Sequence, residues 1–222
     1  MNAVLFDLDG TLADTAPDLA NALNQVLLEN NHKTLPFEQI RPVVSHGGIA
    51  LIRLGFNIEP EHPKFETLRI RLLEIYKQDI CQQTRLFPGL DKLLIQLEKH
   101  NIPWGIVTNK PDWLTEPLLE QLNLTKRMSS LVCGNTLSEK KPHPAPLLHA
   151  CKEINIAPEH CIYIGDAARD IEAGKRAGMK TIAAAFGYIE TFDPPENWQA
   201  DRLVNDSENL WIVLKPMLNL KK

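Results

Sequence analysis

Asp7 and Asp9 stand two apart in Asp7-Leu8-Asp9-Gly10-Thr11-Leu12, directly after the apolar run Ala3-Val4-Leu5-Phe6. The run reads as a short buried strand, and Gly10 breaks it. Residues two apart in extended backbone point to one side, so the two carboxylates are neighbours. Neighbouring carboxylates repel, which calls for a shared proton or a cation between them. Such a pair suits divalent-metal binding or nucleophilic and acid–base work. An Asp-Gly turn would explain the end of the strand but not the polar clusters downstream.

Those clusters fall at the ends of further strands. Trp104-Gly105-Ile106-Val107-Thr108 is followed by Asn109-Lys110. Leu131-Val132-Cys133 leads to Lys140-Lys141-Pro142, and Cys161-Ile162-Tyr163-Ile164-Gly165 to Asp166, with Asp170 four residues on. Taken singly, each is a helix cap or a solvated charge pair. Taken together they read as one site, because open α/β sheets bind ligands outside the carboxyl ends of their strands. Asp7 and Asp166 would hold a hard cation, Mg2+, which takes oxygen ligands. The Thr108 hydroxyl, the Asn109 backbone N–H at a helix start and the Lys141 ammonium make an anion cradle. An aspartate nucleophile, a metal and a cradle are the parts of phosphoryl transfer through an aspartyl phosphate. The chain has no G-x-x-x-x-G-K-[ST] loop and no dinucleotide glycine fingerprint, which argues against a nucleotide-driven motor or a dehydrogenase.

The positioning elements follow from periodicity. Thr15-Ala16-Pro17-Asp18 starts a helix that runs to about Asn30-Asn31, with Thr15 as cap and Pro17 in the first turn. From there to about Gln83 the pattern is helical only, as in Leu68, Leu72, Leu73 and Tyr76. Strand–helix alternation then resumes: helix from Leu90 through Leu97, strand from Trp104, helix over 113–122, strand at 131–133 and helix over 145–154. A strand at 161–165, a helix over 171–177, strands at 181–185 and 202–204 and a closing helix over 210–218 complete it. The expected fold is a doubly wound α/β domain, a parallel Rossmann-like sheet with an inserted all-helical cap. Residues 1–15 and 84–222 would form the core, residues 16–83 the cap.

Composition narrows the class. Over 222 residues, 44% are hydrophobic and 23% charged, and the net charge is −4, as expected of a soluble globular protein. A pI near 6.0 gives no footprint for nucleic acid or an anionic membrane. The longest near-apolar stretches, such as 181–189, are far too short to span a bilayer, and with a strand that begins at Ala3 no signal peptide is expected. Cys81, Cys133, Cys151 and Cys161 lack paired metal-ligand spacing, which fits a reducing cytoplasm. The expected partner is a small-molecule phosphate ester, and the expected state a monomer or small homo-oligomer.

The motifs resemble those of the haloacid dehalogenase superfamily of phosphatases. Asp7-x-Asp9-Gly10-Thr11-Leu12 resembles its first motif, Thr108-Asn109 the second, Lys141-Pro142 the third and Gly165-Asp166-x-x-x-Asp170 the fourth. The helical insert resembles the cap of the phosphoglycolate phosphatase-like subgroup. The resemblance implies that Asp7 attacks phosphorus. Asp9 would protonate the leaving oxygen and then activate water. Mg2+ would sit on Asp7, the Asp9 backbone carbonyl and Asp166. Thr108 and Lys141 would hold the phosphoryl group, and Asp170 would orient Lys141 or a metal-bound water. Many relatives carry an acidic or polar residue after the Gly-Asp pair where this chain has Ala167-Ala168.

The cap segment Val44-Ser45-His46-Gly47-Gly48 and the tail segments Phe186-Gly187-Tyr188-Ile189 and Asn197-Trp198-Gln199-Ala200-Asp201 are similar to those of bacterial N-acetylmuramic acid 6-phosphate phosphatases of cell-wall recycling. This implies an amino-sugar phosphate substrate, with phosphoglycolate as the alternative. Ser45, His46, Gly47 and Gly48 become the expected specificity residues, facing the leaving group. A phosphomutase or a non-catalytic phospho-receiver would use similar carboxylates. Release of free phosphate separates a phosphatase from both.

Overall fold

A computed structural model describes residues 2–218 and residue 220. Six parallel strands form the main sheet: β1 (Ala3–Phe6), β4 (Trp104–Val107), β5 (Ser130–Val132), β6 (Cys161–Gly165), β7 (Lys180–Ala184) and β8 (Arg202–Val204). Their spatial order is β5-β4-β1-β6-β7-β8. The chain winds outward from β1 through β4 to β5, then returns to β6 on the other side of β1. The direction of winding reverses at β1, and the crevice there is where doubly wound sheets take ligands.

Register brings the polar ends together. Phe6 is level with Ile106 of β4 and Ile164 of β6, so Asp7, Thr108 and Asp166 emerge side by side one or two residues further on. The Asp7 N–H still donates to the Ile164 carbonyl at 2.8 Å, which fixes the first carboxylate at the sheet edge. Every residue of β1 is buried, as required of a central parallel strand covered on both faces. Val4 and Phe6 face one apolar layer; Ala3 and Leu5 face the other, under α7 (Ala145–Ile154) and α8 (Ala168–Arg176).

Between β1 and β4 lie α1 (Ala16–Glu29), α2 (Phe37–Ile40), a 3-10 stretch (Arg41–His46), α3 (Gly47–Phe56), α4 (Phe65–Gln78) and α5 (Leu90–Lys99). The expected apolar face of α5, Leu90, Leu93, Leu94 and Leu97, is buried. Each such leucine contributes roughly 1.5–3 kcal/mol on burial. Helix α1 packs on α4, with Leu19, Leu23, Val26 and Leu27 buried alongside Leu68, Leu72 and Ile75. Helices α6 (Asp112–Gln121) and α9 (Leu210–Met217) complete the described helices.

A feature absent from the sequence reading ties the helical stretch down. β2 (Ala13–Asp14) pairs antiparallel with β3 (Arg85–Leu86), so the entry to the insert and its exit lie side by side. Two-residue strands carry no periodic signal. Asp18, buried at the start of α1, reinforces the clasp: its carboxylate accepts from the N–H groups of Gln83 and Thr84 and from the Thr84 hydroxyl.

Thr15 also differs from expectation. Its side chain makes no cap bond to α1 and its hydroxyl donates instead to Asp9 Oδ1 at 2.6 Å. The free N–H groups of Thr15 and Ala16 go to the Tyr188 hydroxyl, at 2.6 and 2.8 Å, and that hydroxyl donates to Asp14 Oδ1 at 2.8 Å. A distant tyrosine thus does the capping and releases Thr15 for the site.

Candidate active site

Asp7, Lys141, Asp166 and Asp170 converge in the crevice, all buried. Lys141 Nζ lies 2.9 Å from Asp7 Oδ1 and 2.8 Å from Asp170 Oδ1, and donates to the Val107 carbonyl at 2.9 Å and the Tyr163 hydroxyl at 2.8 Å. An unpartnered buried ammonium would be neutralised. Here burial pulls the Lys141 pKa down, but Asp170 and Asp7 outweigh it and the net direction is upward. Lys141 is therefore charged and fixed in place.

Asp7 Oδ1 accepts from the Leu8 N–H at 2.8 Å in addition to Lys141. Oδ2 has no partner among the described residues, so one oxygen is anchored and the other is left for chemistry. Burial raises the Asp7 pKa to about 6, against the pull of Lys141. Asp166 goes up to about 7, first through burial and then through repulsion from Asp7 and Asp170. Its oxygens accept from the Thr11 hydroxyl at 3.2 Å, the Tyr188 N–H at 2.9 Å and the Ser45 hydroxyl at 3.0 Å.

Ligand atoms of Asp7, Asp166 and Asp170 all lie within 4.8 Å of one another. Packed carboxylates held at raised pKa values are short of positive charge, and an all-oxygen donor set suits Mg2+. Asp170 supplies to the cluster a carboxylate that Ala167 and Ala168 do not. It also accepts from the Ala167 N–H at 3.1 Å, which closes the first turn of α8. Tight backbone lets the cluster form. Gly10, at φ +84°, leaves room for Asp166: a Cβ there would stand 2.0 Å from its Oδ2. Gly187 would put a Cβ 2.4 Å from the Gly10 carbonyl oxygen.

Asp9 stands beside this cluster, less deeply buried. Its Oδ1 accepts from Thr15 at 2.6 Å and pairs with Lys110 Nζ at 2.8 Å. Lys110 in turn reaches the Tyr76 hydroxyl at 2.8 Å and lies over its ring, joining α4 to the core site. Thr108 is buried, with its Oγ1 accepting from the Lys110 N–H at 3.1 Å. Asn109 is not at the helix start: α6 begins at Asp112, after Lys110-Pro111. Its side chain clamps the backbone of Lys141, accepting from the Lys141 N–H at 3.1 Å and donating to its carbonyl at 3.0 Å. It thereby positions the lysine.

The loop at 44–48 reaches the same place. A cavity of about 640 Å³ is lined by Asp7, Asp9 and Thr108 on the core side and by residues 44–49 and α4 on the other. Ser45, His46, Gly47 and Gly48 all border it. Ser45, expected to face the leaving group, is bonded into the carboxylate cluster: its hydroxyl is on Asp166, and its carbonyl accepts from Arg169 Nη2 at 2.8 Å. His46 Nε2 is 2.6 Å from Glu190 Oε2 in the tail. Arg41 donates to the Phe186 and Gly187 carbonyls, so the tail segment at 186–190 serves as the core-side seat of the loop. Trp198 is bonded to Asp193 instead and does not border the cavity.

Lys110, Tyr76, Thr11, Tyr163 and Arg169 join the site beyond the residues expected from the sequence. Lys110 and Arg169 carried a usable signal, as cations adjoining or inside assigned motifs. The two tyrosines carried none, since each sits in an apolar pattern that explains it fully.

A family model for haloacid dehalogenase-like hydrolases matches residues 4–184. The chain is 42% identical over 218 residues to the N-acetylmuramic acid 6-phosphate phosphatase of Pseudomonas putida, covering 98% of each chain. It is 43% identical over 209 residues to a phosphoglycolate phosphatase of Xanthomonas campestris pv. campestris, covering 94% of each. A crystal structure from Haemophilus somnus, described as a predicted phosphoglycolate phosphatase, matches with a TM-score of 0.86 at 25% identity, covering 96% of this chain and 98% of that one.

Proposed function

The chain belongs to the haloacid dehalogenase-like hydrolase family and is a phosphatase of phosphate monoesters; on that footing we propose that it passes the phosphoryl group to Asp7 and then to water, with Mg2+ in the site. The observation that carries this reading is the half-anchored Asp7, one oxygen on Leu8 and Lys141 and the other free at the cavity floor.

In the proposed reaction, Asp7 Oδ2 attacks phosphorus as the bond from phosphorus to the ester oxygen breaks. Asp9 hands its proton to that leaving oxygen. Asp9 then takes a proton from water, the water oxygen attacks the phosphorus, and the bond to Asp7 breaks to release phosphate. Thr108, the Asn109 N–H and Lys141 bind the phosphoryl oxygens, and Asp170 keeps Lys141 aimed. Mg2+, held by Asp7, Asp166 and the Asp9 carbonyl, would supply positive charge toward the transferring group. Four free thiols and no disulfide suit a reducing cytoplasm.

For the ester we propose N-acetylmuramic acid 6-phosphate, with Ser45 to Gly48 shaping the leaving-group side. The cavity, at about 640 Å³, lies in the range of roughly 300–1,000 Å³ that takes ligands of drug size, so it has room for an amino-sugar phosphate. Phosphoglycolate is the second reading, on the strength of the Xanthomonas relative. Phosphate release measured with Mg2+ on both esters decides between them. A kcat/KM higher for the amino-sugar phosphate is expected, and a preference for phosphoglycolate would overturn the substrate. Mass spectrometry of rapidly quenched enzyme should find a phosphoryl group on the peptide containing Asp7. Its absence under single-turnover conditions, with turnover intact, would overturn the covalent route.

A further inference from the structure

We propose that Arg69, on the cap side of the cavity, recognises a carboxylate that the substrate carries apart from its phosphate. The inference rests on the phosphatase reading above and names a chemical feature of the preferred ester. Arg69 lies in α4 and borders the cavity that holds Asp7 and Asp9. Its Nε and Nη2 donate to the two carboxylate oxygens of Glu66, at 2.8 and 2.5 Å. That engages one edge of the guanidinium. Nη1 has no partner among the described residues, so the edge formed by Nη1 and Nη2 is left to meet a second carboxylate side-on, the geometry at which arginine excels. Glu66 fixes the plane of the group without using it up.

Two of the other three Lys and Arg side chains bordering the cavity are committed. Lys110 is held by Asp9 and Tyr76. Arg169 is bonded to the Ser45 carbonyl and sits among Asp7, Asp166 and Asp170. Lys140 is exposed, adjoins the phosphoryl-binding Lys141 and is the one rival. Glu74 also borders the cavity, but its carboxylate faces Arg71 at 3.6 Å. The surroundings of Arg69 favour a ligand with mixed character. Gly48 stands against its stem: a Cβ there would come 3.4 Å from Arg69 Cγ. Ile49 and Ile70, each 47% exposed, and Leu73 offer an apolar wall to the same space. A cation beside such a wall meets its partner at lower effective dielectric than in open water.

Both esters named for the relatives bear a carboxylate, at different reach. In phosphoglycolate it sits on the carbon next to the ester oxygen, so its cation would have to stand at the cavity floor. In N-acetylmuramic acid 6-phosphate it sits on the lactyl arm, across the sugar ring from the phosphate. A guanidinium on the cap wall suits the second.

The test compares kcat/KM for wild type, Arg69→Gln, Arg69→Lys and Lys140→Gln on two esters. One is N-acetylmuramic acid 6-phosphate; the other, N-acetylglucosamine 6-phosphate, lacks only the lactyl arm. Arg69→Gln should lower the first roughly ten- to hundredfold, the worth of a hydrogen bond to a charged group, chiefly through KM. The second should fall by less than about twofold. Arg69→Lys should lie between, since it keeps the charge and loses the two-pronged contact. Equal losses on both esters, or none, would overturn the proposal. A selective loss in Lys140→Gln alone would move the carboxylate to Lys140. Should wild type reject both sugar phosphates and hydrolyse phosphoglycolate, the substrate reading fails by itself. Arg69→Gln is then compared on phosphoglycolate and ethyl phosphate: equal losses, as expected if only a floor cation reaches that carboxylate, remove Arg69, and a selective loss upholds it. Thermal melting of each variant confirms that it is folded.

Discussion

At the cavity floor, Lys141 is fully buried and meets Asp7, Asp170, the Val107 carbonyl and the Tyr163 hydroxyl. On the cap wall, His46 has a side chain 45% exposed and meets Glu190 alone. The contrast holds for their neighbours. Asp166 has three hydrogen-bond donors from three separate segments, whereas Arg69 has Glu66 from its own helix. Groups that move electrons in this reading are over-determined by their surroundings, and losing one leaves buried charge uncompensated. Of the groups that would choose the ester, His46 and Arg69 are each held by one partner in a partly exposed contact worth about 0–1 kcal/mol. A floor of this kind serves any phosphate monoester, and a wall of this kind is cheap to alter.

The sharpest test of the floor is Asp7→Asn. The amide is a poor nucleophile and carries no charge for Lys141. Turnover should fall below the detection limit on every ester while the fold persists, because the replacement is isosteric and Asp170 still pairs with Lys141. More than a few per cent of wild-type rate, on any ester, would show that Asp7 is not the attacking group. Asp9→Asn comes next. Loss of acid–base help should cost on the order of 10²–10⁴-fold, least for a leaving group such as nitrophenolate that needs no proton. An equal loss for all leaving groups would break that assignment.

Metal and pH probe the floor through stability. The ordinary carboxylate value is 3.8; in the folded chain Asp7 rises to about 6 and Asp166 to about 7. Between these limits the folded protein holds protons that the unfolded chain has released, so these two groups favour folding most below pH ~4 and lose that contribution as pH rises toward ~7. Metal-free protein should therefore melt at a lower temperature at pH 7.5 than at pH 5.5. Mg2+ should raise the melting temperature more at the higher pH, because protons compete for its ligands. A chelator should abolish activity and added Mg2+ restore it. A Mg2+ stabilisation independent of pH would mean that the cation does not sit on these carboxylates.

The floor was far more legible in the sequence than the wall. Asp7, Thr108 and Asp166 lie at the ends of strands whose apolar runs announce themselves, and parallel register carries their order directly into space. Contacts that cross between distant segments left no such trace. The Tyr188 hydroxyl caps α1 from 172 residues away. Ser45 meets Asp166 across 121 residues, and Lys110 meets Tyr76 across 34. Thr15 shows the cost: local pattern favoured a helix cap, and tertiary context gave its hydroxyl to Asp9. The β2–β3 clasp was equally silent, being too short for any period.

The wall's own predictions are the smallest. Gly47, at φ +71°, has nothing within 4 Å of where a Cβ would be, so the Cβ that Gly47→Val adds meets no neighbour. At ψ −165° the position is one that residues other than glycine rarely occupy, so the variant strains the backbone by roughly 1–3 kcal/mol, and the loop should relax by moving Ser45 and His46. We expect kcat/KM for N-acetylmuramic acid 6-phosphate to fall about tenfold. His46→Ala removes one half-exposed pair with Glu190 and one group able to donate and accept near the leaving group. A contact of that kind limits the loss to roughly two- to fivefold. Nitrophenyl phosphate, which offers the wall no sugar hydroxyl, amide or lactyl group, should lose less in both variants, because Asp7, Asp9, Thr108 and Lys141 stay in place. Steady-state kinetics on the two esters settles the matter. Proportional losses would mean that the loop acts on the floor, through the Ser45 contact with Asp166, and the division between floor and wall would fail at that one hydrogen bond.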